Sequence, residues 1–147
     1  MRLVDPIRTF LVASLTLLPP AVFASPVGEA VAVDQAAVLE RSGQRIELVA
    51  GAEVAMGDII TTGAAGQAQL LFKDETRIVV GSNSRLVIES ILFDTPTTAS
   101  SFTVSAVEGA FRFLSGNSEK SAYSIRTPNG TMGIRGTEFD FTVTPVE

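Results

Sequence analysis

A two-residue hydrophobic period constrains this chain more than any other feature. Glu138-Phe139-Asp140-Phe141-Thr142-Val143 sets Phe139, Phe141 and Val143 on one side, with Glu138, Asp140 and Thr142 on the other. Gln67–Phe72 repeats the pattern with Ala68, Leu70 and Phe72, and Arg85–Glu89 repeats it with Leu86 and Ile88. Successive side chains of a strand point to opposite faces, so this alternation predicts half-buried strands and not amphipathic helices. Turn-forming residues recur at Ser42-Gly43, Ala50-Gly51, Met56-Gly57-Asp58, Thr62-Gly63, Lys73–Thr76 and Gly81–Ser84. They divide the chain into strands expected near 29–33, 37–41, 45–49, 59–61, 67–72, 77–80, 85–93, 102–107, 110–114, 122–126 and 138–143. Gln35–Arg41 is the one helix-like stretch, and it is too short to outweigh a strand entry. The expected fold is all-β, with many short strands joined by tight turns in a solenoid-like roll or a sandwich. No long textual repeat selects the solenoid.

Composition narrows the chemistry. The 147 residues suit one domain, and 46% hydrophobic content can build a core. There is no His and no Cys. That removes the Ser-His-Asp triad, the imidazole base, the thiolate nucleophile and the commonest zinc ligands. A net charge of -5 argues against nucleic acid, which attracts clustered Lys and Arg. With no Trp and one Tyr, a carbohydrate-stacking glycosidase groove is not expected. No catalytic residue, cofactor site or metal site is assigned, and no enzymatic activity is expected.

The N-terminus carries Arg2 and Arg8, the apolar run Thr9–Leu18, the break Pro19-Pro20 and then Ala21-Val22-Phe23-Ala24. This is the pattern of a secretory signal peptide over residues 1–24, cleaved after Ala24 and leaving a domain over residues 25–147. The apolar run falls short of the roughly 20 residues a membrane helix needs. An uncleaved anchor is the alternative, since Asp5 interrupts the basic lead. The expected location is the periplasm.

Two Ser- and Thr-rich segments, Thr95–Ser101 and Ser115–Ser121, read as mobile surface loops. The glycine-rich run Thr127-Pro128-Asn129-Gly130-Thr131-Met132-Gly133-Ile134-Arg135-Gly136-Thr137 reads as a tight corner between two strands. Arg135 there either bonds neighbouring carbonyls and holds the corner or contacts a ligand or partner. Arg112 and Arg135 are both placed to meet Asp140 or Glu138 as bidentate pairs. On that reading, Arg135→Ala lowers the melting temperature. Asp58 and Asp74 are expected to accept backbone N–H groups within their own turns, and Asn83 to tolerate left-handed geometry. The abrupt end at Glu147, soon after the strand expected at 138–143, suggests a truncated domain or a terminus that pairs with something else.

Several of these segments together resemble the FecR protein domain family. Gly57-Asp58 to Thr62-Gly63 is similar to its G-D-x-I-x-T-G opening, and Asp74-Glu75-Thr76 to its D-G-T turn. Gly81-Ser82-Asn83-Ser84 matches its G-x-N-S turn, and Gly109 lies in its G-x-x-R-F element. Thr127, Pro128, Gly133, Ile134, Arg135, Gly136, Thr137 and Phe139 follow its T-P-x-A-x-x-G-I-R-G-T-x-F signature. Glu75 departs from the family's glycine, which implies a different or strained turn. The resemblance covers about residues 30–143 and implies a periplasmic sensing module. The cytoplasmic anti-sigma region and spanning helix of the family's signal transducers have no counterpart here. Two functions stand as expectations. One is a binding or sensing module that engages a protein partner through an exposed strand edge. The other is a structural envelope module that binds a cell-wall polymer.

Overall fold

The computed structural model describes residues 24–146. The expected leader lies outside the described residues except for Ala24. Among them are twelve strands: β1 (Pro26–Asp34), β2 (Ala37–Arg41), β3 (Gln44–Glu47), β4 (Glu53–Ala55), β5 (Ile59–Thr62), β6 (Gln67–Phe72), β7 (Arg77–Val80), β8 (Arg85–Thr95), β9 (Thr98–Leu114), β10 (Tyr123–Thr127), β11 (Gly130–Gly133) and β12 (Glu138–Val143). One 3-10 turn, Lys120–Ala122, precedes β10. The fold is all-β: a single sheet that curls into a half-barrel, antiparallel except where β10 runs parallel to β9. Of the architectures the sequence leaves open it is the roll, and stacked parallel coils are absent among the described residues.

The curl follows from long arms that all break along one line. Only Gln35-Ala36 separates β1 from β2, Gly63–Gly66 separates β5 from β6, and Gly81–Ser84 separates β7 from β8. The halves of each arm belong to different wings. One wing has the order β4-β1-β6-β7-β9-β12, the other β3-β2-β5-β8-β9-β10-β11. β9 crosses the line unbroken for 17 residues. Its residues 98–108 pair with β8, while 111–114 pair with β7 on one side and 109–114 with β12 on the other.

The wings close face to face over aromatic side chains. The ring of Phe102, in one wing, lies 4.9 Å from Phe72 and 6.3 Å from Phe113 in the other, edge-on to both. Ala68, Leu70, Phe72, Leu86, Ile88, Phe111 and Phe113 are all buried, as the two-residue period predicts. Each buried side chain of Leu or Phe size contributes about 1.5–3 kcal/mol.

At the line itself the backbone ladder is interrupted, and side chains complete it. The Thr62 hydroxyl donates to the Gly81 carbonyl at 2.5 Å and accepts the Ser84 N–H at 3.0 Å. The Ser84 hydroxyl accepts the Ala110 N–H at 3.0 Å. Gly63 donates to the Ala36 carbonyl and accepts from the Asn83 N–H. Asn83 has φ 50°, the left-handed geometry expected of it. Gly109 has φ +107°, and a Cβ there would stand 2.5 Å from the Ser84 Cα.

Four sequence expectations need correction. Thr95–Ser101 is not a mobile loop: a two-residue turn at Pro96-Thr97 joins β8 directly to β9, with Thr95 and Thr98 in register. The strands expected at 102–107 and 110–114 are one continuous strand, because Gly109 bends the chain without breaking it. Ser115–Ser121 is not a free loop either. Ser118 is buried, donating to Asp74 at 2.6 Å and accepting the Ala99 N–H at 2.7 Å. Finally, the run Thr127–Thr137 is not all corner: Gly130–Gly133 forms β11, paired with β10 around Pro128-Asn129. β4 was not anticipated.

Gly109→Ala is expected to destabilise the protein by about 3 kcal/mol or more, since it adds both left-handed strain and a backbone clash. Urea unfolding measures this, and an unchanged midpoint would contradict the assignment of Gly109 as the pivot.

Candidate partner-binding edge

Two buried carboxylates are the first places to look for chemistry, and both are satisfied structurally. Asp58 is 0% exposed. Its oxygens accept Nε and Nη2 of Arg41 at 2.8 and 2.6 Å, and the Ala55 N–H at 2.7 Å. Its own carbonyl accepts the Ile88 N–H, so this one residue ties β2, β4 and β8 together. Gly57, at φ +88°, makes the turn that delivers it. The Arg41 guanidinium is raised above its ordinary value, chiefly by the hydrogen bond to Asp58.

Asp74 is also 0% exposed, and it forms no ion pair among the described residues. Instead it accepts the Thr76 N–H at 3.0 Å and three hydroxyls: Thr76 at 2.9 Å, Ser118 at 2.6 Å and Tyr123 at 3.0 Å. Burial pushes the Tyr123 phenol above its usual value, with the Asp74 charge adding to it. Glu75 follows at φ 67°, so the turn is left-handed where the family has glycine. Each aspartate does accept an N–H of its own turn. Their distant partners Arg41, Ser118 and Tyr123 carry no signal in the sequence, because they meet only in the fold. Among the described residues, no group of His, Cys, Asp or Glu is arranged to hold a metal ion. Every buried side-chain polar atom among them has a hydrogen-bond partner.

The glycine-rich run divides into a hairpin and a strap. Thr127 donates its hydroxyl to the Gly130 carbonyl across the Pro128-Asn129 turn. Gly133 ends β11 at the level of Ser124, which pairs with Thr103, near one end of β9. Glu138 starts β12 opposite Leu114, at the other end of β9. Ile134–Thr137 therefore spans from one wing to the other, away from the line where the arms break. Ile134 turns inward and is 6% exposed. The Thr137 carbonyl accepts the Ser115 N–H at 2.8 Å, which fixes the start of β12. Arg135 and Gly136 are exposed. Among the described residues Arg135 makes no hydrogen bond and no ion pair, so the expectation that it holds the corner or meets Asp140 is overturned. The strap is held by the Ile134 side chain and the Thr137 carbonyl, not by the guanidinium.

β12 is one of four open margins among the described residues, with β3, β4 and β11, and of these it alone carries aromatic side chains. It hydrogen-bonds to β9 on one side, and no strand pairs with its other side among the described residues. The inner face carries Phe139 and Phe141, each half-buried, stacked on Phe113 at 5.5 Å and Phe111 at 5.2 Å. On the outer face, Asp140 takes Nε and Nη2 of Arg112 at 2.7 and 3.0 Å, the bidentate pair the alternation predicts. Those hydrogen bonds hold the Asp140 carboxyl below the ordinary carboxylate range and raise Arg112. Glu138 stands 3.8 Å from the same guanidinium. A strand with one free side presents unpaired N–H and C=O groups to any extended segment that approaches.

The signature residues are thus scattered. Thr62, Gly63, Asn83 and Gly109 lie on the line where the arms break, Gly57, Asp58 and Asp74 in turns that bury the two carboxylates, and Thr127 to Phe139 run from the β10–β11 hairpin across the strap to β12. What the fold defines is a curled all-β module with an aromatic strand, β12, paired on one side only at an edge. Residues 58–146 match the family model described as FecR protein, and the chain belongs to the FecR family. The match begins at Asp58, so β1 to β4 precede it. No curated protein and no solved structure matches the chain. The family is one of envelope signalling, and no helix among the described residues is long and apolar enough to cross a membrane.

Because Arg135 is exposed and bonds nothing among the described residues, Arg135→Ala is expected to change stability by no more than about 0.5 kcal/mol, as at other surface positions. A drop of several degrees in the thermal midpoint would restore the structural role.

Proposed function

We propose that this protein is a non-enzymatic module of the periplasm, exported by its N-terminal leader, that engages a protein partner in envelope signalling. The observation that carries this reading is the open edge of β12. Sheets accept extended segments of other proteins by adding a strand, with main-chain hydrogen bonds supplying affinity and alternate side chains supplying selectivity. Phe139 and Phe141 support it further. Aromatic rings left only partly buried on an edge have apolar area still to bury when a strand is added. The exposed strap beside the margin, where Arg135 bonds to no group among the described residues, adds a second contact for a partner.

Site-directed photocrosslinking tests the proposal. Thr142, exposed on β12, is replaced by a photoreactive amino acid, and Ile46 on β3, at the opposite margin of the sheet, serves as control. In envelope extract the Thr142 probe is expected to capture a discrete protein and the Ile46 probe to capture none. Retention of the protein by purified peptidoglycan, with no crosslink from Thr142, would favour a cell-wall-associated module and contradict the proposal.

A further inference from the structure

The side chains along β12 restrict which segment can lie beside it. On its paired side, Phe139-Asp140-Phe141 faces Phe113-Arg112-Phe111 of β9 in register. Both phenylalanines find an aromatic ring, and the aspartate finds a guanidinium. An apolar–basic–apolar triplet is therefore the complement this strand already satisfies once.

Its free side presents the same demand. Phe139 and Phe141 are only half-buried. Glu138 and Asp140 share the single guanidinium of Arg112, and both carboxylate side chains are more than half exposed. Glu138 lies 3.8 Å from it without a hydrogen bond. Two carboxylates against one cation leave negative charge along the margin. Opposite charges directly across strands are favourable, and like charges there are unfavourable.

We propose that the occupant of the β12 edge is an extended segment of a partner protein in which apolar and basic residues alternate. Its Lys or Arg side chains lie opposite Glu138 and Asp140, and its apolar side chains cover Phe139 and Phe141. The inference rests on the reading of β12 as the binding edge. A second copy of the chain is the poorer occupant. Antiparallel self-pairing centred on residue 140 sets Asp140 against Asp140, in a protein whose net charge is already -5. The carboxylates thus discourage self-association while selecting a basic strand, the way charged edges do generally.

Two synthetic peptides test the inference, identical in their alternate apolar residues and carrying either Lys or Glu between them. Each is titrated into the isotopically labelled protein while the backbone amides are followed by NMR. The Lys peptide is expected to shift the amides of β12 and to bind about tenfold more tightly than the Glu peptide. That preference should shrink at about 1 M salt, where screening reaches a few ångströms. Glu138→Gln removes one carboxylate that makes no hydrogen bond, so the fold is retained and the Lys peptide weakens severalfold. Equal binding of both peptides at β12 overturns the charge rule and leaves the edge reading standing. No shift at β12 with either peptide overturns both. Concentration-dependent dimerisation through β12 without peptide overturns the choice of a foreign partner.

Discussion

The hydrogen bonds between Thr62 and the Gly81–Ser84 turn are the constraint on which the rest of the structure depends. Each long arm changes wing at this line, and the ladder that joins neighbouring arms is reduced there to a few isolated backbone bonds. Buried backbone groups left without partners would cost about 1–3 kcal/mol each. Thr62 and Ser84, both almost fully buried, supply the missing donors and acceptors from their hydroxyls. Gly109 then lets β9 pass close against Ser84 without a side chain in the way. With the line satisfied, the wings fold together and Phe102 meets Phe72 and Phe113 in the core.

The same topology produces the open margin. β9 is the last strand shared by both wings. Beyond it β10 and β11 cover one half, and β12 covers the other, each pairing outward with nothing further among the described residues. Carrying the chain from β11 to β12 requires a crossing between wings, and Ile134–Thr137 makes it. Among the described residues its anchors are one apolar side chain and one carbonyl, with Arg135 exposed at the surface. The Arg112–Asp140 pair, lying in water, adds little stability by itself. Its larger consequence is to set the charge pattern of the edge.

The part of this fold legible in the sequence is the part that local rules govern. Alternation marked most of the strands and their buried faces, and the turn residues placed the boundaries near Gly57, Gly63, Asn83 and the Asp74 turn. The Asp140–Arg112 pair was legible too, since both alternate outward on strands that could neighbour each other. What was missed depends on distance in the chain. Arg41 meets Asp58, and Ser118 and Tyr123 meet Asp74, only once separate arms are brought together. β4 is too short to show a period, and β11 was hidden because its glycines imitate a turn. The Ser- and Thr-rich loop before β10 looked mobile because it lacks apolar anchors, yet a buried hydroxyl from Ser118 holds it to a buried carboxylate. Arg135 misleads in the other direction, as a lone charge among glycines that bonds nothing among the described residues.

The central claim is that β12 is an edge held open for a partner strand. Site-resolved amide hydrogen exchange addresses it most directly. In the isolated protein, the β12 amides directed at β9 should be protected, while those directed away from it exchange like solvated groups. With the partner captured through Thr142 bound, the outward set should become protected as well. Protection of the outward amides in the isolated protein, or no change when that partner binds, would contradict the account.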